Sequence, residues 1–177
     1  MPPDQIHTPR LVLRPFSIGD ADALWNYSGD AEWGRYQGLV QPYTRAEADR
    51  FLAGLLLRDR QMKPTWAMTK GGAVIGIVSL KFEAEHRIAV LGYGVHKQHW
   101  GEGLCVEAAC AAIGQAFETC HALQRIRAHT DARNSGSIRV LQKLNFKHEG
   151  MLRSNGFFGG EFVDEAVFGL LREEWRG

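Results

Sequence analysis

An α+β fold is predicted: a mixed, mostly antiparallel sheet of six to seven strands with helices on both faces, in one domain covering residues 1–177. Three observations predict it. The apolar periodicities run in the order β-α-α-β-β-β-α-β-α-β-β, which is not the strict alternation of a doubly wound sheet. Consecutive strand segments in the middle and at the end of the chain are joined by short turns, so they pair antiparallel. Between them lies a strand–helix–strand crossover, which is normally right-handed and leaves its two strands parallel.

Arg10 to Arg14 alternates and reads as a strand ended by Pro15, and Asp20 to Tyr27 reads as a short helix. Thr44-Arg45-Ala46-Glu47 has the capping-box form, in which hydroxyl and carboxylate satisfy free N–H groups at a helix start. The helix that follows carries Ala48, Phe51, Leu52 and Leu55 on one face. Thr65 to Thr69 and Ala73 to Phe82 are strands around a Gly71-Gly72 turn, and Ile88 to Val95 is a third strand. Leu104 to about Thr119 is a helix with Val106, Ala109, Cys110, Ile113 and Phe117 as its apolar stripe. Arg125 to Thr130 is a strand, and Ser137 to Leu144 a short helix with Ile138, Leu141 and Leu144 inward. Phe146 to Phe157 and Glu161 to Leu171 are strands joined at Gly159-Gly160.

The chain of 177 residues is long enough to bury a core without disulfides or metals. A formal net charge of +1 supplies no strong field toward nucleic acid or an anionic membrane. Cys105, Cys110 and Cys120 show no CxxC spacing, which argues against a zinc site or a disulfide framework and for a reducing setting. The first residues lack a basic flank and an apolar stretch, and no segment approaches the ~20 apolar residues of a membrane span. The expected location is the cytoplasm.

The chemistry concentrates after the strand Val90-Leu91-Gly92-Tyr93-Gly94-Val95. Two glycines in a strand mark a bulge or the close approach of a ligand or another backbone. Next comes Gln98-x-x-Gly101-x-Gly103, opening onto the helix at Leu104. Glycines let successive N–H groups turn toward one point, and the helix start adds partial positive charge there. The loop therefore suits a pyrophosphate. It lacks the Lys-Ser/Thr ending of a nucleotide-triphosphate loop. A third glycine of the dinucleotide fingerprint is also missing, since its position falls on Val106 or Glu107. On the glycines alone, a plain turn into a helix is an equal alternative.

Gln98-x-x-Gly101-x-Gly103 at a strand-to-helix junction resembles the acyl-CoA pyrophosphate loop of the GNAT N-acetyltransferase superfamily. Leu91-Gly92-Tyr93, Trp100-Gly101-Glu102-Gly103 and Glu107-Ala108 resemble the branch that acetylates ribosomal-protein N-termini, the RimJ/RimL-like branch. So do Thr8-x-Arg10-Leu11-x-Leu13-Arg14, the run Asn134-x-x-Ser137-x-Arg139-Val140-Leu141-x-Lys143-Leu144-x-Phe146, Glu149-Gly150-x-Leu152-Arg153, and Asp164. The resemblance runs from about Thr8 to Trp175.

It implies a sheet splayed at the cofactor site and a direct transfer of acetyl from acetyl-CoA to a primary amine, either a protein N-terminus or a small molecule. No metal is implied. The backbone near Val95 would pair with the pantetheine arm and supply an oxyanion donor. N–H groups of His99, Trp100, Gly101, Glu102, Gly103 and Leu104 would hold the pyrophosphate, with the Gln98 side chain as a further contact. Asn134 would hydrogen-bond the pantetheine. Ser137 would protonate the leaving thiolate, although a serine at a helix start is also a preferred N-cap. The tyrosine that many members use as acid is replaced by Leu141.

The usual base carboxylates are replaced by Val90 and Gly156, which leaves Glu83, His86, His129 or a water chain for that role. Trp33, Tyr36 and Phe157-Phe158 read either as an acceptor pocket or as core. One or two of Arg125, Arg127, Arg133 and Arg139 would meet the adenosine 3′-phosphate. The acceptor pocket would come from Trp25 to Arg50 and the Gly159-Gly160 hairpin, and a homodimer is common in resembling proteins. The competing class is a non-catalytic acyl-CoA-binding sensor; a nicotinamide oxidoreductase is a distant third.

Overall fold

A computed structural model describes residues 3–36, 43–83, 87–158 and 160–177, with backbone alone at 27 and 31. Its strands are β1 (Ile6–His7), β2 (Val12–Arg14), β3 (Thr65–Lys70), β4 (Ala73–Glu83), β5 (Ile88–Val95), β6 (Arg125–Asp131), β7 (Lys147–Phe158) and β8 (Glu161–Leu171). Its helices are α1 (Ala21–Ser28), α2 (Ala31–Gly34), α3 (Arg45–Leu56), α4 (Leu104–Thr119) and α5 (Ser135–Lys143). All eight strands form one sheet in the order β1-β2-β3-β4-β5-β6-β8-β7. This is one strand more than the six to seven expected, because β1 has only two residues and is too short to show a period. Every neighbouring pair is antiparallel except β5–β6, the crossover pair.

Period two puts successive side chains of β3 on opposite faces of the sheet. Trp66 and Met68 join the larger apolar cluster with Ala109, Ile113 and Phe117 of α4 and Leu141 of α5. Ala67 joins a smaller cluster with Leu24 of α1 and Leu52 and Leu55 of α3. Helices therefore cover both faces, as expected. Thr44 caps α3 through the predicted box: its Oγ1 accepts from Glu47 N at 3.3 Å, and its N–H donates to Glu47 Oε2 at 2.6 Å. Phe51, expected inward, is 37% exposed, because the buried stripe of α3 follows Ala48, Leu52 and Leu55.

α5 begins two residues before the expected Ser137. Its N-cap is Asn134, whose Oδ1 accepts from Ser137 N at 3.0 Å. Ser137 thus lies inside the first turn and is not the cap.

The start of the chain is locked by Arg14, which donates to both carboxylate oxygens of Asp20 at 2.8 Å. Burial pushes the Asp20 carboxyl up, but hydrogen bonds from Arg14 and Ser17 outweigh it and hold the group below its usual range. A depressed folded-state pKa gives stability that is complete above the unfolded carboxylate value, about 4, and is lost as pH falls through the folded value. Asp20→Asn should therefore cost about 1–3 kcal/mol at neutral pH. In thermal melts its deficit against the wild-type chain should shrink steadily below about pH 4.

Candidate active site

β5 and β6 pair over three rungs only, Ile88↔Arg125, Ala89↔Ile126 and Val90↔Arg127. Beyond them β5 stays with β4 as far as Val95 and β6 stays with β8 as far as Asp131, so the sheet opens into a V. The free edge of β5 follows from its register. His96 N donates to Ile75 O at 2.7 Å, which makes that rung a hydrogen-bonded one. Rungs alternate in an antiparallel ladder, so Tyr93 and Val95 point their N–H and C=O away from β4 and into the gap. The Val95 carbonyl accepts from the Trp100 indole at 2.9 Å, which leaves the Val95 N–H as a donor.

A cleft of about 590 Å³ fills the V. Val95, His99, Trp100, Gly101, Gly103 and Leu104 line one wall, and Asn134, Ser137, Arg139 and Lys143 the other. Val95, His99, Trp100, Gly101, Gly103, Leu104, Asn134 and Ser137 are thereby brought together in one cleft. Gln98 and Glu102 are exposed and outside the lining.

The loop takes its shape from Gly101 and Gly103, at φ 80° and 77°. This left-handed region is open to glycine and unfavourable to residues with a Cβ. Gly103 is itself the N-cap of α4, so the first free N–H groups of a sixteen-residue helix face the cleft. Tethers hold the loop from outside. Glu102 takes Lys70 of β3 at 2.6 Å and His99 Nδ1 at 2.8 Å. The Lys70 ammonium, then His99, hold the Glu102 carboxyl below its usual value. Arg10 donates to the Glu102 carbonyl at 2.9 Å and to Glu107 Oε2 at 2.6 Å. Lys97 pairs with Asp30, next to α2, at 2.5 Å.

Sequence reasoning gave no role to Tyr93, yet its phenol reaches across the V to Ser137: 2.9 Å to Oγ and 3.1 Å to the backbone carbonyl. Burial pushes the phenol far above its usual range, so it stays protonated, although the Ser137 contact opposes the shift. With the Tyr93 proton on the carbonyl, the Ser137 hydroxyl donates to the phenol oxygen. The only local signal was a tyrosine between two strand glycines, and its partner lies 44 residues away.

Among the expected arginines, Arg125 pairs with Glu149 and Arg127 with Glu83 at the closed end, outside the cleft lining. Arg133 holds Asp131, and Arg139 lines the cleft. Burial pushes the Asp131 carboxyl up, but hydrogen bonds from Arg133 outweigh it and hold it low. Of the candidate bases, Glu83 is engaged with Arg127 at 2.8 and 3.0 Å, His86 lies outside the described residues, and His129 lines the cleft. Trp33, Tyr36 and Phe158 also line it, while Phe157 packs edge-on against Phe162 and is 54% exposed. Gly159 lies outside the described residues. Cys105 touches the cleft, but burial pushes its thiol up to about 12, so it is not a thiolate near neutral pH. Among the described residues no group of His, Cys, Asp and Glu is placed to hold a metal, and no helix is long and apolar enough to cross a membrane.

The acetyltransferase (GNAT) domain model matches residues 10–147. The chain is 30% identical over 179 residues to an uncharacterized N-acetyltransferase, p20, of Bacillus licheniformis, covering 98% of this chain and 99% of that one. It is 32% identical over 196 residues to the [ribosomal protein uS5]-alanine N-acetyltransferase of Escherichia coli (strain K12), covering 99% and 94%. Mycobacterium smegmatis RimJ, solved in complex with CoA-disulfide, superimposes with a TM-score of 0.85 at 21% identity, over 97% of this chain and 89% of that one, which is a likeness of fold. Splayed strands, a glycine loop on a helix start and a match over most of the chain agree: the protein is an acetyltransferase of the GNAT family.

Proposed function

We propose that the protein transfers the acetyl group of acetyl-CoA to the N-terminal amine of a protein, by direct attack within a ternary complex. The opening of β5 from β6 beside the Gly101–Gly103 loop carries this reading, because it offers an extended donor edge and a helix-start anion site in one cleft. The protein acceptor is favoured over a small amine by the relative that acts on a ribosomal-protein alanine.

Acetyl-CoA supplies an activated thioester. The N–H groups of His99 to Leu104 hold its pyrophosphate, with Gln98 as an outer contact and Arg139 at the 3′-phosphate. Tyr93 and Val95 pair with the pantetheine arm, and Asn134, its Oδ1 spent on the helix cap, offers Nδ2. The Val95 N–H faces the carbonyl oxygen as it gains charge. The Ser137 hydroxyl, which donates to the Tyr93 phenol oxygen at rest, turns to the leaving sulfur and delivers its proton there. The protonated state of Cys105 agrees with direct transfer without an acyl-cysteine.

The test is thiol release from acetyl-CoA in the presence of peptides with free N-termini and a panel of small amines. Release that rises with peptide concentration is expected. Tight CoA binding with no release on any amine would instead make the protein a sensor. Ser137→Ala should lower kcat by about 100-fold. It should cost at most about 1 kcal/mol of stability, because Asn134 caps the helix and Tyr93 keeps the backbone carbonyl. A melting point lowered in step with activity would assign Ser137 to the fold.

A further inference from the structure

An ammonium group must lose a proton before it attacks, and the two positions at which the family resemblance implies a base carboxylate hold Val90 and Gly156 in this chain. We propose that His129 is the general base and that Glu165 positions it. This rests on the acetyltransferase reading above.

His129 lies on β6 beyond the last rung shared with β5, and it lines the cleft. Its ring is partly exposed, with 26% of the side chain accessible, so a substrate amine can reach it. Glu165 lies on β8 opposite Asp131, while His129 faces Val167, which makes Glu165 the diagonal neighbour of His129 on the same face of the sheet. Its Oε2 is 3.8 Å from His129 Nδ1, and its side chain is only 13% exposed. That spacing is longer than a hydrogen bond; catalytic contacts are commonly loose before substrate binds and tighten in the reacting complex.

A Cβ at Gly156 would lie 2.5 Å from the Phe158 ring and 3.1 Å from Glu165 Cγ and Val163 Cγ2. Glycine at 156 thus lets the Phe158 and Glu165 side chains approach the β7 backbone there. β7 bulges between Leu152 and Gly156 to allow this, with Ser154 at φ 49°. The bulge delivers the Asn155 amide, which donates to Glu165 Oε2 and fixes the carboxylate.

The surrounding charges leave Glu165 the partner of His129. On β6, Asp131 is neutralised by Arg133 and Arg127 is paired with Glu83. On β7, Asn155 is neutral, and Glu161 at the start of β8 goes to Arg133. Besides Arg133, the other cationic or titratable side chains of the cleft wall are His99, Arg139, Lys143, Tyr36, Tyr93 and Cys105. Among the described residues Glu165 is an acid of the cleft region whose charge no arginine or lysine meets.

In the step itself, Nδ1–H faces Glu165 and the Nε2 lone pair takes a proton from the acceptor ammonium. The freed nitrogen lone pair forms the N–C bond at the thioester carbonyl, the C–S bond breaks, and sulfur leaves with the electron pair and takes its proton from Ser137; the nitrogen gives up its second proton to solvent, and Ser137 regains a proton from solvent. His129 then returns its proton to solvent.

Thiol release by the full chain, measured from pH 5 to 10 with acetyl-CoA and the best amine of the panel, tests this. His129→Ala should lower kcat about 100-fold at pH 7 with CoA affinity within twofold, the deficit shrinking as the amine deprotonates itself at high pH. Glu165→Gln should lower kcat about 10-fold with KM unchanged, and should add nothing in a chain that already carries His129→Ala. A structural role would add its loss in both backgrounds. His129→Gln, which keeps a polar side chain of similar reach, guards against misfolding. If wild type turns over and both His129 variants match it across the pH range, the base assignment fails while the acetyltransferase reading stands. If wild type binds CoA and acetylates nothing, both fail.

Discussion

Gly76→Ala should lower the thermal unfolding midpoint by about 5–10 °C and weaken acetyl-CoA binding at the same time. Gly76 of β4 sits opposite Val95 of β5, on a rung without mutual hydrogen bonds, where the two backbones approach most closely. A methyl group there would stand 2.4 Å from the Gly94 carbonyl oxygen and 2.9 Å from Val95 Cα. Both are backbone atoms, so no rotamer change relieves the clash; β5 must move. The moving residues are those whose N–H groups edge the cleft, so stability and affinity should fall together. Gly54→Ala is the contrasting control. It lies in α3 with nothing within 4 Å of an added Cβ, and should stabilise the chain by up to about 1 kcal/mol. Melting curves and calorimetric titration with CoA on both variants make the comparison. An unchanged melting point for Gly76→Ala would mean that β4 and β5 are not packed this tightly.

Gly103→Val should cost about 100-fold or more in CoA affinity, with a smaller loss of stability. Here the cause is conformational, not steric crowding, since the nearest atom to an added Cβ is Arg10 Nη2 at 3.8 Å. Gly103 holds φ 77° and ψ 9° as the N-cap of α4, a conformation that a β-branched residue reaches only with strain. Relief of that strain turns the first N–H groups of α4 away from one another, and an anion held by several of them loses them together. The helix continues to pack through Ala108, Ala109, Ala112 and Ile113, all buried, so the fold should survive. Affinity equal to wild type would place the pyrophosphate elsewhere on the protein.

These two glycines differ in how visible they were. Gly103 stood out because its spacing from Gln98 and from the helix start is local. Gly76 did not, since its partner Val95 is met only after the hairpin closes. The same division runs through the molecule. β5, α4 and β8 match their predicted segments because each is long and carries several buried apolar residues. β1 escaped notice for want of length. The start of α5 was misplaced because Asn134 was read as a ligand contact and not also as a cap. Phe51 was read inward because helical spacing fixes a face without fixing how wide its buried stripe is. The loop from Gln98 to Gly103 is one continuous stretch of chain, so its place at a strand-to-helix junction was legible. The pairs proposed for acid and base, Tyr93 with Ser137 and His129 with Glu165, join distant elements, and no local pattern encodes them.

The three-rung seam between β5 and β6 has a mechanical corollary. Two antiparallel half-sheets, each laddered within itself apart from local bulges, are fastened to each other along a short parallel stitch. Amide hydrogens deep in β4–β5 and β6–β8 should exchange slowly, whereas those of Tyr93 and Val95, which face the gap, should exchange fast in the free protein. A cofactor arm laid along that edge completes the ladder and should slow these two amides sharply, so that ligand occupancy is readable as the welding of two half-sheets into one.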